Sequence, residues 1–376
     1  MNIAFYAPMK PPDAARPSGD RTIARMLLRA LAEAGHDATV ASRVRSYTAE
    51  PPDRKRFRTL QRQADDEVRR LIDEWGRNPP DLWFTYHLFH KAPDLIGPPA
   101  CRAAGLPYLV AEASFAPKRA TGPWAGGLER VRDAIGLADH MFFLNPDDEA
   151  CVLPLLKPQA TSSRLPPVVC IQETLEPDRC REERRRLAAE WTLSPEAVWA
   201  VAVGMMRPGD KLVSYRRLAQ AWTNLADAGA HLLVVGDGES NTEVRRLFSD
   251  CATHVSFLGM LQPADLNSVY RAADFFIWPG IQEAVGMATL EAMAAGLPVA
   301  VGPWGSVAQE IEPGVTGLVA RTGDELAQAS RRLIASPELR RKLGAAARAH
   351  VFRRHSLPLA AKTLTAVFED VAGRPR

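Results

Sequence analysis

Residues 278–301 read WPGIQEAVGMATLEAMAAGLPVAV, and this stretch decides how the second half of the chain folds. A short apolar run that ends at Trp278 predicts a buried strand. Residues 287–295 are good helix formers stopped by Gly296, and Val299–Val301 predicts another strand. Strand, helix and strand in this order are the repeating unit of a parallel α/β sheet.

Two glutamates in this stretch, Glu283 and Glu291, are separated by seven residues, and Glu291 is the only charged residue between Glu283 and Glu310. A surface helix shows a polar face, and this one shows none, so we expect protein to cover it on both sides. A carboxylate there is costly unless something hydrogen-bonds it, as a pair of ligand hydroxyls would. The alternative is an ordinary buried helix whose glutamate binds water.

Length and composition indicate a folded protein of two domains. The chain has 376 residues, 46% of them hydrophobic and 24% charged, which is typical of globular proteins and too long for one core. The net charge of +3 is far below that of a concentrated basic surface, so we expect no nucleic-acid partner. Lysine supplies few of the 47 basic residues, so arginine clusters carry little weight as functional signals.

The cysteines and the apolar runs bear on the compartment. Five cysteines without a CxxC pair argue against a disulfide framework or a zinc site, and a reducing cytosol fits best. The apolar run at the N-terminus is too short for a signal peptide, and none reaches the ~18 residues of a membrane span. We therefore expect a cytoplasmic protein that is not integral to a membrane.

The strand and helix rhythm runs through the chain twice. Short apolar runs predict parallel strands in the first half, with a helix at about 21–34 between the first two: 2–7, 37–42, 82–86, 107–111 and 140–144. The rhythm restarts in the second half with strands at 200–203, 231–235, 255–258, 275–278 and 299–301.

These elements predict an α/β protein with two doubly wound parallel sheets. The first domain comprises residues 1–168, and a C-terminal helix within 356–376 packs back on it. A linker with a charged helix occupies residues 169–195, and the second domain comprises residues 196–355. Ligands bind at the strand-end loops of such sheets.

The helix that carries Glu291 also predicts a diphosphate site. A helix N-terminus presents unpaired N–H groups and a partial positive charge, so a phosphate can bind the backbone at Val285, Gly286 and Met287. Glu283 would then lie on one side of the phosphates and Glu291 on the other, near the ribose.

With Glu283, seven residues and Glu291 followed by AMAAGLPV, the chain resembles the family 4 retaining glycosyltransferases. The likeness extends over nearly the whole chain, through the segments APMKPPDAARPSGDR, AVGMMRPGDKL, VVGDGES, VSFLGML and EPGVTGLVA. It implies the GT-B fold, in which two Rossmann-like domains face each other. It also implies transfer of a sugar from a nucleoside diphosphate sugar to a hydroxyl acceptor with retention of configuration, without a metal or another cofactor.

The resemblance assigns roles to individual residues. Glu283 would contact hydroxyls of the donor sugar, Glu291 the ribose hydroxyls, and Lys211 the phosphates. Backbone at Gly19 would approach the phosphates from the first domain, and backbone around Met260 would read the nucleobase. The donor-binding set that we predict is Gly19, Arg207, Lys211, Gly236, Met260, Glu283, Ala284, Val285, Gly286, Met287 and Glu291.

The chain departs from the family pattern at two places. Met205 stands where the family has arginine, and Lys211 needs one extra residue to align, so Arg207 is the predicted substitute. The family's acceptor-side histidine is absent after the fourth predicted strand, where AEAS supplies Glu112 and Ser114. His87, which follows the third predicted strand, is the nearest replacement. The predicted catalytic set is Glu283, Lys211, Arg207, His87 and Glu112.

Several features leave alternatives open. His87 and His90 have a spacing that metal ligands can share, but no third ligand is evident, and a surface histidine explains His87 equally well. The GDG at 236–238 is either a tight turn or part of the nucleotide site. The basic run 54–70 is either a solvated helix face or a contact for acceptor or anionic membrane at the inner face. Alternatives to a transferase are a catalytically silent nucleotide-sugar binding protein and a GT-B nucleotide-sugar 2-epimerase.

Overall fold

A computed structural model describes residues 1–15, 18–170, 177–225 and 227–374 of the chain, which divides into two compact units. The first unit contains Met1–Val168 and Leu357–Arg376, and the second contains Val169–Ser356. The helix predicted within the linker is therefore part of the second unit.

The first unit is a parallel sheet of six described strands in the order β2-β1-β3-β4-β5-β6. Its strands are β1 Asn2–Tyr6, β2 Asp37–Ser42, β3 Leu82–Leu88, β4 Tyr108–Ala113, β5 His140–Phe143 and β6 Thr161–Arg164. Its first helices are α1 Gly19–Glu33, α2 Arg54–Trp75, α3 Gly97–Ala104, α4 Ala125–Leu137 and α5 Glu149–Val152, with 3₁₀ turns at Pro117–Arg119, Pro146–Asp148 and Leu153–Leu155.

The second unit repeats this architecture with strand order β12-β11-β10-β7-β8-β9 over the residues described. Its strands are β7 Val198–Val203, β8 Ala230–Val235, β9 Val255–Gly259, β10 Phe275–Trp278, β11 Val299–Val301 and β12 Leu318–Val319. Its helices are α6 Pro177–Trp191, α7 Asp210–Thr223, α8 Asn241–Leu247, α9 Pro263–Ala272, α10 Met287–Ala294, α11 Gly305–Gln309, α12 Gly323–Ala335 and α13 Pro337–Arg354, and Ser249–His254 is a 3₁₀ helix.

The last helix, α14 Leu357–Ala372, returns to the first unit and packs along α1. The Phe368 ring lies edge-on to Phe84 of β3 at a centroid distance of 5.2 Å, and His36 bonds Thr365 at 3.0 Å. Aromatic burial and this polar contact hold the helix, and the prediction that it crosses back is confirmed.

Two strands are longer than predicted, and this changes where two candidate residues lie. The pairing of β3 with β4 continues to Leu88 and Ala113. His87 therefore lies within β3 and Glu112 within β4, each one residue before the end of its strand. The prediction that they follow their strands was wrong. The strands were predicted from apolar runs, and the polar side chains of His87 and Glu112 interrupt those runs before the strands end.

The helix α10 is covered as its composition predicts. Six of its residues are buried, namely Met287, Thr289, Leu290, Ala292, Met293 and Ala294, and α13 packs on it. None of the described helices combines the length and apolar character that a bilayer crossing requires.

Candidate functional site

The loop before α10 is shaped by close backbone contacts. Gly286 caps the helix with φ 90°, a conformation that glycine adopts without strain. The amides of Ser306 and Val307 in α11 donate to the carbonyls of Ala284 and Val285, at 3.0 and 3.2 Å. The loop is therefore held against α11 on one side and leads directly into α10.

Glu283 in this loop is bound by two side chains from different elements. The indole Nε1 of Trp278, at the end of β10, donates to Glu283 Oε1 at 2.6 Å. The Nζ of Lys211 donates to the same oxygen, and both charged side chains are largely buried. The structure thus brings together two residues that lie 72 positions apart in the sequence and that we predicted for the same site.

The sheet order explains this meeting. Strands β7 and β10 are neighbours, so the loops that follow them leave the same edge of the sheet. Lys211 lies in the first turn of α7, after β7, and Ser214 in the next turn accepts a bond from the Ile281 amide at 3.0 Å. Lys211 Nζ also lies 5.2 Å from the centre of the Trp278 ring, a cation–π contact.

Glu291 has a different environment from Glu283. Its Oε2 accepts a bond from the Tyr270 hydroxyl at 3.2 Å, and no ion pair involves it among the described residues. Burial raises the pKa of Glu291 to about 7, although the bond from Tyr270 lowers it. The carboxyl therefore favours its protonated form far more than an exposed glutamate does.

Arg207 is exposed, and among the described residues no hydrogen bond or ion pair joins its side chain to Lys211 or Glu283. Its neighbour Met206 is fully buried and is fixed by backbone bonds, donating to Asp237 at 3.0 Å and accepting from Ser240 at 2.9 Å. The backbone before Arg207 is thus anchored while the guanidinium reaches solvent.

The GDG turn has a packing role. Gly236 and Gly238 have φ of 141° and 153°, and a Cβ added to them would lie 1.8 Å from the Gly204 carbonyl oxygen and 2.2 Å from that of Met206. Side chains at either position would push the β7 loop away. The turn after β8 therefore explains both glycines without a ligand, and a contact of Gly236 with the donor stays a prediction.

The segment predicted to read the nucleobase lies at the end of β9. Gly259 has φ 68°, its carbonyl accepts a bond from the Gly236 amide at 2.8 Å, and the Met260 side chain is exposed. The segment therefore lies at the same sheet edge as the GDG turn.

In the first unit, Gly19 is the first residue of α1, whose N-cap Ser18 accepts a bond from the Arg21 amide at 3.3 Å. A Cβ on Gly19 would meet no atom of the described residues within 4 Å. Internal packing therefore does not explain this glycine, and its predicted approach to a phosphate is untested.

His87 contacts two elements in the same unit. Its Nδ1 lies 3.5 Å from Asp20 Oδ1 in α1, and its Nε2 lies 3.5 Å from Ser114 Oγ after β4. Burial lowers the pKa of His87, but the bond to Asp20 and the charges of Glu112, Asp20 and Asp148 outweigh burial, and the net pKa is raised. The imidazole therefore favours the protonated form.

Glu112 is buried beside this histidine. Its Oε2 accepts bonds from the amides of Leu144 and Asn145, at 2.8 and 3.0 Å, and its backbone has φ 66°. A positive φ at a non-glycine residue costs free energy and is found most often at functional sites. Burial raises the pKa of Glu112 to about 7.

Two acids of this cluster, Asp20 and Asp148, were missed by the sequence reasoning. Asp148 Oδ2 accepts from Asn145 Nδ2 at 3.0 Å and from Ser114 Oγ at 3.5 Å. The available signals were the position of Asp20 next to Gly19 and the polar NPDD directly after β5.

His90 is not joined to His87. Its ring packs on Phe89 and Trp124, with centroids 4.2 and 5.3 Å away, and both of its ring nitrogens are buried without a hydrogen-bond partner among the described residues. Burial lowers the pKa of His90 to about 4, helped by the charges of Arg119 and Lys91. It is neutral at physiological pH.

A different trio, Glu310, His350 and His355, has ligand atoms within 4.8 Å of one another. Glu310 Oε2 accepts from His350 at 3.2 Å, from His355 at 3.0 Å and from Arg354 at 3.1 Å. A guanidinium on the same oxygen opposes a bound cation, so the trio is best described as an ion-pair cluster that joins α11 to the end of α13.

Comparisons with known proteins find that the chain is similar to sugar-transferring enzymes. The family described as Glycosyl transferases group 1 matches residues 198–336. A GDP-mannose-dependent monoacylated alpha-(1-6)-phosphatidylinositol monomannoside mannosyltransferase of Corynebacterium glutamicum is 36% identical over 150 residues, which are 38% of this chain and 39% of the relative. A 2-deoxystreptamine glucosyltransferase of Streptomyces kanamyceticus is 27% identical over 65% of each chain. The matched part is less than two thirds of either relative.

Solved structures match over nearly the full length. A sucrose-phosphate synthase from Thermosynechococcus elongatus superposes with a TM-score of 0.73 at 18% identity and covers 98% of both chains. Anabaena HepE, solved in complex with UDP and glucose, gives 0.70 at 16% identity, covering 98% of this chain and 99% of its own. These similarities establish the fold as two Rossmann-like domains of the GT-B type.

Proposed function

We propose that this chain is a group 1, family 4 glycosyltransferase that transfers a sugar from a nucleoside diphosphate sugar to a hydroxyl acceptor with retention at the anomeric carbon. The observation that carries the proposal is the joining of Lys211, Glu283 and Trp278 beside the Gly286 end of α10. A carboxylate, a cation and free helix amides meet at one sheet edge, and these groups suit sugar hydroxyls and a diphosphate.

In this proposal the second unit holds the donor. Glu283 accepts bonds from sugar hydroxyls, the backbone of Val285 to Met287 binds the diphosphate, and Glu291 binds the ribose. Lys211, with Arg207 able to approach from solvent, stabilises the negative charge that grows on the departing diphosphate. Because these side chains supply the positive charge, we expect transfer to continue in the presence of a metal chelator.

The proposed chemistry uses the departing diphosphate as the base. As the anomeric carbon–oxygen bond breaks, the acceptor hydroxyl forms its new bond on the same face of the sugar and passes its proton to a diphosphate oxygen. Configuration is then retained, and positioning with electrostatic stabilisation supplies most of the rate. His87 and Glu112 belong to the acceptor side.

The test is donor turnover by the full chain. Purified protein is incubated with a panel of nucleoside diphosphate sugars, and free nucleoside diphosphate is measured with and without candidate hydroxyl acceptors. We expect release that Glu283→Ala abolishes and that the exposed control Glu312→Ala leaves intact, and NMR of the product gives the anomeric configuration. Donor binding without turnover would instead indicate a silent binding protein, and donor isomerisation would indicate an epimerase.

We further propose that α2 contacts an anionic surface at the inner face of the membrane, with the protein otherwise cytoplasmic. Its first three turns carry five exposed basic residues, Arg54, Lys55, Arg56, Arg58 and Arg62, and within the described residues none of them forms an ion pair. Cations at a helix N-terminus oppose the helix dipole, so their clustering there does not serve helix stability. Partly buried Phe57 and Leu60 lie among them.

Vesicle sedimentation tests this contact. We expect the full chain to sediment with vesicles of anionic phospholipid and not with zwitterionic ones, less so at high salt. Replacing Arg54, Lys55, Arg58 and Arg62 by glutamine should abolish sedimentation, whereas Arg69→Gln with Arg70→Gln, whose side chains pair with Asp66 and Glu67, should not. Equal loss in both variants would contradict a specific contact.

A further inference from the structure

We propose that Asp20 and Asp148 are positioning residues that keep His87 an imidazolium in a fixed orientation, Asp20 directly and Asp148 through Ser114. The catalytic consequence rests on the proposed function, since His87 is assigned there to the acceptor side. All of the residues involved, Asp20, His87, Ser114 and Asp148, lie in the first unit.

The His87 ring is contacted at both of its nitrogens. Asp20 faces Nδ1 from the first turn of α1, and Ser114 faces Nε2 from the end of β4. Both separations are 3.5 Å, at the long end of hydrogen bonding, so charge contributes more to this hold than tight bonds do. A ring that donates from both nitrogens carries a positive charge.

Ser114 connects the His87 ring to two acids, Asp148 and Glu112. Ser114 Oγ donates to Asp148 Oδ2, and Asn145 connects the two acids, because its side-chain amide donates to Asp148 and its backbone amide donates to Glu112. Burial and, to a smaller extent, the charge of Asp148 raise the pKa of Glu112 to about 7, so Glu112 favours its protonated form far more than an exposed glutamate does. The charge of Asp148 favours the imidazolium form of His87.

Hydrogen bonds fix the two acids in place. Glu112 is fixed by the amides of Leu144 and Asn145, and the Asn145 side chain fixes Asp148. Burial raises the pKa of Glu112 and of Asp148. The charged groups that face the cluster are Asp20 from α1, Glu112 from β4 and Asp148 after β5, with the charge of Lys10 acting on Asp20.

In the proposed transfer, an imidazolium at this place would supply positive charge beside the bound substrates and would neither gain nor lose a proton overall. Loss of its charge would then weaken turnover as pH rises. The cluster thus predicts a pH profile whose upper limit follows the pKa of His87.

The experiment is NMR titration of the histidine side chains in the ¹⁵N-labelled full chain, with the His87 signals assigned from a His87→Asn variant. We expect Asp20→Asn and Asp148→Asn each to lower the pKa of His87 by on the order of one unit. Ser114→Ala should remove most of the effect of Asp148→Asn when the two are combined. The matched control is Asp147→Asn, an exposed neighbour, which should leave the titration unchanged.

Circular dichroism confirms that each variant folds, and Asp148→Glu serves where the asparagine variant does not, with a His87 pKa expected within a few tenths of wild type. An unchanged His87 pKa in folded Asp148→Asn overturns the inference. Titration needs no substrate, so absence of transfer activity would defeat the proposed function without touching this result. A shifted His87 pKa with an unshifted pH profile of kcat would overturn the catalytic part.

Discussion

Glu283 in the second unit and Glu112 in the first are buried acids near strand ends, but they are stabilised by opposite means. Glu283 is neutralised by the cation Lys211 and receives an indole N–H bond. Glu112 lies against a second carboxyl and two backbone amides, with a histidine as the nearest cation. The first arrangement pairs two opposite charges, whereas the second contains an acid with a raised pKa.

This difference matches what each unit is proposed to do. A donor with a diphosphate always carries negative charge, so a permanent cation suits its site. An acceptor hydroxyl is neutral, and a histidine held as an imidazolium by acids supplies a positive charge that is lost only as the pH rises past its pKa.

The strongest test of the second unit is Glu283→Gln. Glutamine keeps the shape and can accept the Trp278 bond, but it loses the charge that holds sugar hydroxyls and Lys211. We expect kcat for donor turnover to fall about 100-fold or more, with Glu312→Gln unchanged. Activity within threefold of wild type would mean that the charge of Glu283 does not serve the donor.

The next test removes the cation. Lys211→Met leaves Glu283 charged, largely buried and without its ion pair, and we expect the second unit to lose about 1–3 kcal/mol of stability and donor turnover to fall at least about tenfold. Adding Glu283→Gln should restore much of the stability but none of the turnover. Urea unfolding followed by tryptophan fluorescence measures the coupling, and purely additive losses would show that the pair contributes nothing as a pair.

A smaller effect separates the two glutamates of the second unit by pH. The pKa of Glu291 rises from 4.5 to about 7 on folding, so the folded state binds its proton more tightly. Stability is then highest below pH 4.5 for this group and falls as pH rises to 7, with a slope approaching about 1.4 kcal/mol per pH unit.

Glu291→Gln should remove this slope from the second unit, as Glu112→Gln should from the first, where the same sign applies. Both variants are compared with wild type by urea unfolding at several pH values from 4.5 to 8. Slopes identical to wild type would show that the acids titrate normally.

The mildest prediction concerns His90, whose ring nitrogens bond neither a cation nor an acid in the part of the chain that the structure describes. Replacing its two unpartnered ring nitrogens by carbon in His90→Phe should stabilise the first unit by about 1 kcal/mol and leave transfer unchanged, because the ring already packs among aromatics. Thermal unfolding measures the gain. A loss of transfer would give His90 a role in binding that its contacts do not explain.

The residues around Glu283 could be predicted from the sequence more completely than those around Glu112. Glu283 and Glu291 stand eight positions apart around one helix start, so local spacing alone places them at one site. Lys211 required the family resemblance, because its distance from Glu283 is set by the order of strands β7 and β10. The sheet order is decided by tertiary packing and not by any local pattern.

The first unit shows the limit of this reasoning. His87 and Glu112 were predicted as candidates, but their partners Asp20 and Asp148 come from two further strand ends, and side-chain contacts across four segments leave no periodic signal. The strand lengths were underestimated at the same places, since polar residues interrupt the apolar runs that mark strands.

The glycines of the GDG turn have a practical consequence for protein engineering. A side chain at Gly236 or Gly238 would clash with the carbonyl of Gly204 or Met206. A mutant library that randomises either glycine would therefore yield mostly misfolded proteins. Randomising Arg207 and Met260, whose side chains reach solvent from the same sheet edge, would alter the proposed donor site while leaving the scaffold intact.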